Sequence, residues 1–134
     1  MRFQRAVAIL LRMFTEAVLD HFRNPRNAGE LAGADATVEV SNPVCGDVLQ
    51  LAARLKDGRI AEVRFLCRGC TTAIACGSLL TEKLINQKVG EAGDLSPAAI
   101  AEALGGLPAA TFHGAQLAAA AAHALAEKFS TAGR

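Results

Sequence analysis

Hydrophobic positions near the start of the chain follow the spacing of an α-helix. They recur every three or four residues, as on one face of an amphipathic helix. These positions are Val7, Leu10, Leu11, Phe14, Val18 and Phe22. Asn24-Pro25 ends the predicted helix, because proline lacks the backbone N–H that a helix interior needs. Residues 27–36 are rich in Gly, Ala, Asn and Asp, have no period and are predicted to form a loop.

The pattern then becomes that of β-strands, over residues 37–40, 47–55 and 60–67. Gly58 lies in the short stretch between the last two segments, and a glycine there predicts the turn of a β-hairpin. A three-residue loop places the odd-numbered residues of both strands on one apolar face, whereas a two-residue loop mixes Glu62 and Arg64 into it. We therefore expect the three-residue loop. The predicted pairs are Lys56 with Ile60, Leu55 with Ala61, Ala53 with Val63, Leu51 with Phe65 and Leu49 with Cys67.

Extending this ladder by one step joins two distant segments. Residues 45–47 come to lie beside residues 69–71, so Cys45, Asp47 and Cys70 are predicted neighbours. Helical spacing resumes directly after Cys70, where Ile74 and Leu84 share one face of a predicted helix. A strand therefore leads straight into a helix at these residues.

Two further helices are predicted in the last third of the chain. Ser96 followed by Pro97 is typical of a helix start, and this short helix runs to Leu104 before Gly105-Gly106. Thr111 is predicted to cap a last helix that runs to about Phe129. Helices and one antiparallel sheet together predict an α+β fold.

Composition and charge narrow the class of function. The chain has 134 residues, 51% hydrophobic, with a net charge of +1 and six Phe as its aromatic residues. This composition suits one domain with its own core and lacks the basic surface and stacking groups of nucleic-acid binders. The apolar runs are shorter than the roughly 20 residues of a membrane-spanning helix. The stretch from Ala6 to Leu11 is too short for a signal peptide, so we expect a cytoplasmic protein with reduced cysteines.

Four residues carry candidate metal chemistry. Cys45 and Asp47 offer a thiolate and a carboxylate in one bend, a pair that suits a transition metal. Taken alone, the two residues are more simply explained by a turn in which Asp47 caps backbone N–H groups and Cys45 packs as a small apolar residue. Cys70 begins a helix, where the positive end of the helix dipole stabilises a thiolate. His113 lies in the first turn of the last helix, where the same dipole favours a neutral imidazole.

The other cysteines and histidines have structural interpretations. Cys67 points to the core in the predicted hairpin, and Cys76 lies beside the apolar face of its helix, so both are expected to be buried. Residues 67–70 form a single CxxC, without the second pair of a zinc ribbon or the parallel βαβ setting of a thioredoxin-like site. His21 and His123 are expected to have structural roles.

Three segments resemble the IscU/NifU-type iron-sulfur cluster assembly scaffolds. They are residues 14–27, with Asp20-His21-Phe22-Arg23-Asn24-Pro25-Arg26-Asn27, then Pro43-Val44-Cys45-Gly46-Asp47, then Gly69-Cys70-Thr71-Thr72-Ala73-Ile74-Ala75. The resemblance implies a three-stranded antiparallel sheet with helices packed on it, in a single scaffold domain over residues 13–129. Residues 1–12 then form an N-terminal extension, with Met13 as a candidate initiator, and residues 130–134 form a frayed tail.

The resemblance also implies a function. Members build a transient [2Fe-2S] cluster, or bind Zn(II), on three cysteines and an aspartate. They take sulfur from a cysteine desulfurase and pass the cluster to acceptor proteins. Cys45, Asp47 and Cys70 fall on these positions and His113 falls on the family's histidine, so these four are the predicted ligands. The protein is predicted to be a scaffold and not an enzyme.

Two positions depart from the family pattern. Gly114 stands where the family has its third cysteine, which the resemblance identifies as the usual sulfur acceptor. The family's chaperone recognition segment, Leu-Pro-Pro-Val-Lys, reads Leu107-Pro108-Ala109-Ala110-Thr111 here, which weakens the expectation that an Hsp70-type chaperone binds. Ordinary sulfur delivery at position 114 is therefore not expected.

Three hypotheses stay open at this point. The first is a scaffold that holds a [2Fe-2S] cluster on the four predicted ligands and transfers it. The second is a sulfur relay, in which Cys67 or Cys70 accepts a persulfide from a desulfurase while zinc organises the site. The third is a family member without cluster assembly, as Gly114 suggests, that binds zinc and acts as a partner or regulator.

Overall fold

The structure, a computed structural model, describes residues 14–44 and 46–132. Helices and strands follow one another as α1 (Glu16–Arg23), β1 (Ala36–Asn42), β2 (Asp47–Lys56), β3 (Arg59–Arg68), α2 (Thr71–Leu84), α3 (Val89–Ala92), α4 (Pro97–Ala103), a 3-10 turn (Ala109–Thr111) and α5 (His113–Ala132). The predicted extension over residues 1–12 and the helix positions Val7, Leu10 and Leu11 lie outside the described residues. None of the described helices has the length and apolar character of a membrane-spanning segment.

The three strands form one antiparallel sheet in the order β1-β2-β3, which confirms the predicted sheet and the α+β class. Three predicted hairpin pairs are confirmed, namely Ala53 with Val63, Leu51 with Phe65 and Leu49 with Cys67. Side chains of these residues point to the helices, and most are buried. The inward face of the sheet thus supplies one wall of the core.

The predicted three-residue loop is wrong, because Lys56 pairs with Arg59 and Leu55 pairs with Ile60. Asp57 and Gly58 have φ angles of 55° and 78°, as in the two-residue turns whose twist matches that of a hairpin. A β-bulge follows between Arg54 and Leu55, and it restores the predicted pairing from Ala53 onward. The bulge therefore shifts the register by one residue, as the longer loop was expected to do.

Helix α2 lies at the centre of the molecule. It contacts α1, α5 and β3, and it buries ten of its residues, far more than the one predicted face. A Cβ atom on Gly77 would lie only 2.9 Å from Cδ2 of Phe65, so the helix approaches the sheet closely at this glycine. Cys76 is fully buried, as predicted, and Cys67 is half-buried beside the core.

The helix ends confirm one predicted cap and correct another. Ser96 caps α4, since its hydroxyl accepts a hydrogen bond of 3.1 Å from the backbone N–H of Ala99. Thr111 does not cap the last helix: it lies in the 3-10 turn, and its hydroxyl donates to the carbonyl of Pro108. Helix α5 continues to Ala132, beyond the predicted end at about Phe129.

A hydrogen-bonded group that we name the docking cluster holds α1 and the following loop against α2. It consists of His21, Arg26, Asn27, Ser78 and Thr81. Nδ1 of His21 lies 2.7 Å from Oγ of Ser78, and the backbone N–H of Arg26 donates to the same oxygen at 2.8 Å. Asn27 donates to Oγ1 of Thr81 at 3.1 Å. Burial, with the nearby charge of Arg26, lowers the pKa of His21.

Strand β3 lies at one margin of the sheet, and loop backbone pairs with it there. The N–H of Phe65 donates to the carbonyl of Asn27, and the N–H of Gly29 donates to the carbonyl of Phe65, both at 2.9 Å. Near the start of the strand, Ile60 exchanges two backbone hydrogen bonds with residues 86 and 87. On the side away from β2, strand β3 is therefore paired near its start, at Ile60, and again at Phe65.

Candidate metal centre

Asp47 enters the site because it is the first residue of β2. It pairs with Asn42 of β1 across the ladder, and the intervening turn is closed by a 2.7 Å hydrogen bond from Gly46 N–H to the Asn42 carbonyl. Gly46 has a φ of 75°, which favours glycine. Cys45 belongs to this turn in the sequence but lies outside the described residues, so its role as a ligand stays a prediction.

Cys70 is the N-cap residue of α2, directly after β3. Its side chain is exposed and caps no backbone N–H group of the helix. The partial positive charge at the start of α2 therefore lies beside an accessible sulfur. The predicted transition from strand to helix at this cysteine is confirmed.

His113 is the first residue of α5, and the start of this helix packs on the start of α2. The contact is made at Gly114, which is buried. A Cβ atom on Gly114 would lie 3.1 Å from Cγ2 of Thr72 and 3.2 Å from the backbone nitrogen of Ala73. A cysteine here would have to push these neighbours by a few tenths of an ångström. The glycine therefore allows the two helices to approach this closely.

The three side chains converge on one point, and we name them the donor triad: Asp47, Cys70 and His113. Sγ of Cys70 lies 3.9 Å from Oδ2 of Asp47 and 3.9 Å from Nε2 of His113. Nε2 of His113 lies 3.6 Å from Oδ2 of Asp47. The Asp47 side chain is only 8% exposed and that of His113 is 24% exposed. Three predicted ligands, from three different elements, therefore meet at one partly open site.

The donor triad fits one transition-metal ion. In a tetrahedral zinc site the metal lies about 2.3 Å from sulfur and about 2.0–2.2 Å from nitrogen and oxygen, which puts ligand atoms roughly 3.4–3.6 Å apart. The separations of 3.6 to 3.9 Å found here exceed that by a few tenths of an ångström. A small inward movement would thus bring the three atoms into contact with an ion. Cysteine and histidine are also terminal ligands of iron-sulfur clusters.

The other described cysteines and histidines are not members of the donor triad, although Cys67 lies near enough for the charges of Asp47 and Cys70 to act on it. Burial raises the pKa of Cys67 to about 11 and that of Cys76 to about 12, so both thiols are protonated near neutral pH. His21 belongs to the docking cluster, and His123 lies on the exposed side of α5, 3.2 Å from Glu127. Sequence reasoning did not single out Gly69, which lies against the Asp47 carboxyl group. A glycine where a strand meets a helix is the signal that could have drawn attention to it.

A model of the NifU-like N-terminal domain family matches residues 13–133 of the chain. The chain is similar to the iron-sulfur cluster assembly scaffold protein IscU 1 of Archaeoglobus fulgidus, with 44% identity over 107 residues that cover 80% of this chain and 70% of the relative. It is also similar to the iron-sulfur cluster assembly scaffold protein IscU of Haemophilus influenzae, with 42% identity over 95 residues that cover 68% of this chain and 75% of the relative.

Solved structures share the fold. The N-terminal part of a NifU-like protein from Brucella abortus superimposes with a TM-score of 0.58 at 20% identity, over 91% of this chain and 86% of the other. A putative iron-sulfur cluster assembly scaffold protein from Fervidobacterium islandicum gives a TM-score of 0.59 at 18% identity, over 81% and 83% of the two chains. Both therefore support the architecture described above.

Proposed function

The chain belongs to the NifU-like N-terminal domain family, and from this premise we propose that it is an iron-sulfur cluster assembly scaffold that carries a transient [2Fe-2S] cluster. The observation that carries the proposal is the donor triad, three side chains of metal-ligand type whose donor atoms lie within 3.9 Å of one another. Relatives at 44% and 42% identity are named scaffold proteins of this kind, which supports the same function.

Asp47, Cys70 and His113 are the ligands we propose, with Cys45 as the fourth. The bound cluster supplies iron and sulfide as cargo. A carboxylate and an imidazole hold iron less firmly than thiolates do, so this ligand set favours release. Cys70 is exposed, which leaves a path by which a partner can reach the cargo.

The protein is proposed to act without catalysing a reaction of its own, in the cytoplasm. Its partners are a cysteine desulfurase as the source of sulfur and iron-sulfur proteins as acceptors. An Hsp70-type chaperone is not part of the proposal, because residues 107–111 depart from the recognition segment of the family. Sulfur delivery to position 114 is likewise left out, since glycine stands there and carries no thiol.

A single Zn(II) ion is a second candidate occupant, favoured by the spacing of the donor triad. All three atoms are close enough to one another for ligands of one ion. Structural zinc would make the protein a partner or regulator and not a cluster carrier. For the sulfur relay, Cys70 is the more accessible of the two candidate thiols, since its side chain is exposed whereas that of Cys67 is half-buried.

Anaerobic reconstitution with iron and sulfide tests the scaffold function. We expect visible sulfide-to-iron charge-transfer absorption in the unsubstituted protein and its loss in Cys70→Ala and in Cys45→Ala. Cys67→Ala is the matched control, since this thiol lies outside the donor triad and the variant should keep the absorption. No absorption in the unsubstituted protein, or full absorption in Cys70→Ala, would contradict the proposal.

Two further measurements separate the alternatives. Metal analysis of the purified protein, followed by circular dichroism after chelation, distinguishes structural zinc from a labile site, because loss of structural zinc lowers helicity. Mass spectrometry after treatment with a cysteine desulfurase reveals a relay, which adds one sulfur atom to Cys70 or Cys67. Absence of that adduct removes the relay hypothesis and leaves the other two.

A further inference from the structure

Gly69 occupies the junction between β3 and α2, next to Cys70. Its backbone conformation does not require glycine, because its φ lies outside the positive range that disfavours other residues. It is also exposed, so it does not fill a space in the core. The reason for a glycine at this position must therefore lie in what surrounds its Cα atom.

A side chain on Gly69 would collide with the donor triad. A Cβ atom there would lie 2.9 Å from Cγ of Asp47, 3.0 Å from Oδ1 of Asp47 and 3.0 Å from Cβ of Ala73. Contacts this short do not occur between packed carbon atoms, so a neighbour would have to move. Gly69 is thus the surface against which the Asp47 carboxyl group rests.

Of these neighbours, the carboxyl group is the one that can move. The backbone of Asp47 is held by its pairing with Asn42, and Ala73 is 1% exposed within the first turn of α2. The Asp47 carboxyl group can instead rotate away. Rotation would carry Oδ2 out of its positions 3.6 Å from His113 and 3.9 Å from Cys70.

We propose that Gly69 is a positioning residue for the metal centre: its lack of a side chain lets Asp47 place Oδ2 within reach of an ion held by Cys70 and His113. This inference rests on the proposed function, because it assumes that the donor triad binds metal. Groups that orient ligands typically change metal affinity by about 10–100-fold when they are altered. Gly69→Ala should therefore weaken metal binding by about tenfold.

Co(II) is the probe for this test, because its absorption reports both affinity and the type of ligand. In Gly69→Ala we expect about tenfold weaker Co(II) binding and altered d–d bands. The thiolate-to-cobalt band should persist, since Cys70 is unchanged. Gly90→Ala is the matched control, because a Cβ atom on Gly90 meets nothing within 4 Å and its φ is not positive. This control should bind Co(II) as the unsubstituted protein does.

A double-mutant cycle shows whether Gly69 acts through Asp47. In an Asp47→Ala background, Gly69→Ala should cause no further loss of Co(II) affinity, because the carboxyl group with which it collides is gone. Equal affinities of Gly69→Ala and the unsubstituted protein, or a full tenfold loss in the Asp47→Ala background, would overturn the inference.

Thermal unfolding of the metal-free proteins covers the case in which Gly69→Ala does not fold. Recovery of folding in the variant that also carries Asp47→Ala would support the predicted collision. Failure of both to fold would locate the collision at Ala73 and overturn the inference. Absence of Co(II) binding by the unsubstituted protein would contradict the proposed function itself. Equal Co(II) affinities of the unsubstituted protein and Gly69→Ala would contradict only the role of Gly69.

Discussion

Two polar clusters lie along helix α2, and each contains a histidine from another helix. In the docking cluster, Nδ1 of His21 lies 2.7 Å from the hydroxyl of Ser78, within ordinary hydrogen-bond distance. In the donor triad, Nε2 of His113 lies 3.6 Å from Asp47 and 3.9 Å from Cys70, beyond a strong hydrogen bond to either. One imidazole is satisfied by the protein, and the other keeps room for a ligand.

One helix can thus support stability and ligand binding at separate points along its length. The hydrogen bonds of the docking cluster hold α1 and the loop after it in one arrangement against α2. A buried carboxyl group with only long contacts, such as Asp47, is instead stabilised when a cation arrives. The middle of α2 therefore fixes α1, whereas its N-terminus carries one of the three proposed metal ligands, Cys70.

Removal of the histidine from the donor triad should have the largest effect. We expect His113→Ala to lower Zn(II) affinity by at least about 100-fold, since the change removes a ligand and not only a group that orients one. The unfolding free energy of the metal-free protein should change by no more than about 1 kcal/mol. Competition with a chromophoric chelator measures the affinity, and an unchanged value would show that His113 is not a ligand.

The matching change in the docking cluster should have the opposite pattern. His21→Ala deprives the buried Ser78 hydroxyl of one partner and leaves a cavity, so we expect the unfolding free energy to fall by about 2 kcal/mol. Zn(II) affinity should stay as it is. Urea denaturation of the metal-free protein measures the loss. Weaker metal binding without lower stability would contradict the separation of the two clusters.

The pH dependence of stability should sharpen the contrast. Burial is the main cause that lowers the pKa of His21, with Arg26 acting in the same direction and Glu82 and Asp20 opposing it. The unfolded chain therefore takes up a proton below about pH 6.5, before the folded protein does. Stability is unaffected by this group above that pH and falls below it, by less than about 1.4 kcal/mol per pH unit, until the folded state also binds the proton.

Denaturation of the metal-free protein between pH 7.5 and roughly pH 5 tests this slope, and His21→Gln is the matched variant. The part of the slope that comes from His21 should vanish in the variant. An identical pH profile in both proteins would mean that His21 takes up its proton equally in the folded and unfolded states.

Substitution of the third histidine, His123, should have the smallest effect on stability and on metal binding. The His123 side chain is 64% exposed and lies one helical turn from Glu127, at 3.2 Å. Exposed pairs of this kind contribute little, so His123→Ala should change the unfolding free energy by less than about 0.5 kcal/mol and leave metal affinity unchanged. A larger change in urea denaturation would assign His123 to a role that neither cluster explains.

Local patterns predicted much of this fold. Alternation identified the inward face of the hairpin, and Ser96-Pro97 marked a helix start that the structure confirms. The loop predicted around Asp57-Gly58 was wrong because two arrangements give the same pairing further along the strands. One is a three-residue loop, and the other is a two-residue turn followed by a bulge. Side-chain alternation alone does not distinguish these two solutions.

The site was predictable to a different degree at each residue. Extension of the hairpin ladder was enough to bring Asp47 to Cys70, since the backbone connects them by regular pairing. No local pattern brings His113 to them, because its position depends on how α5 packs on α2 through Gly114. Only the resemblance to a known family implied that contact. The four-residue helix α3 was missed, as it is too short for helical spacing to appear.

The loop segments that run along β3 bear on how the protein behaves when many molecules are crowded together. An unprotected margin of a sheet is a template on which a strand from another molecule can add, and such addition leads to aggregation. In this protein loop backbone already pairs with the β3 margin at Ile60 and at Phe65. A neighbouring molecule would first have to displace these loops in order to pair with β3, so the fold itself opposes growth of the sheet at this edge.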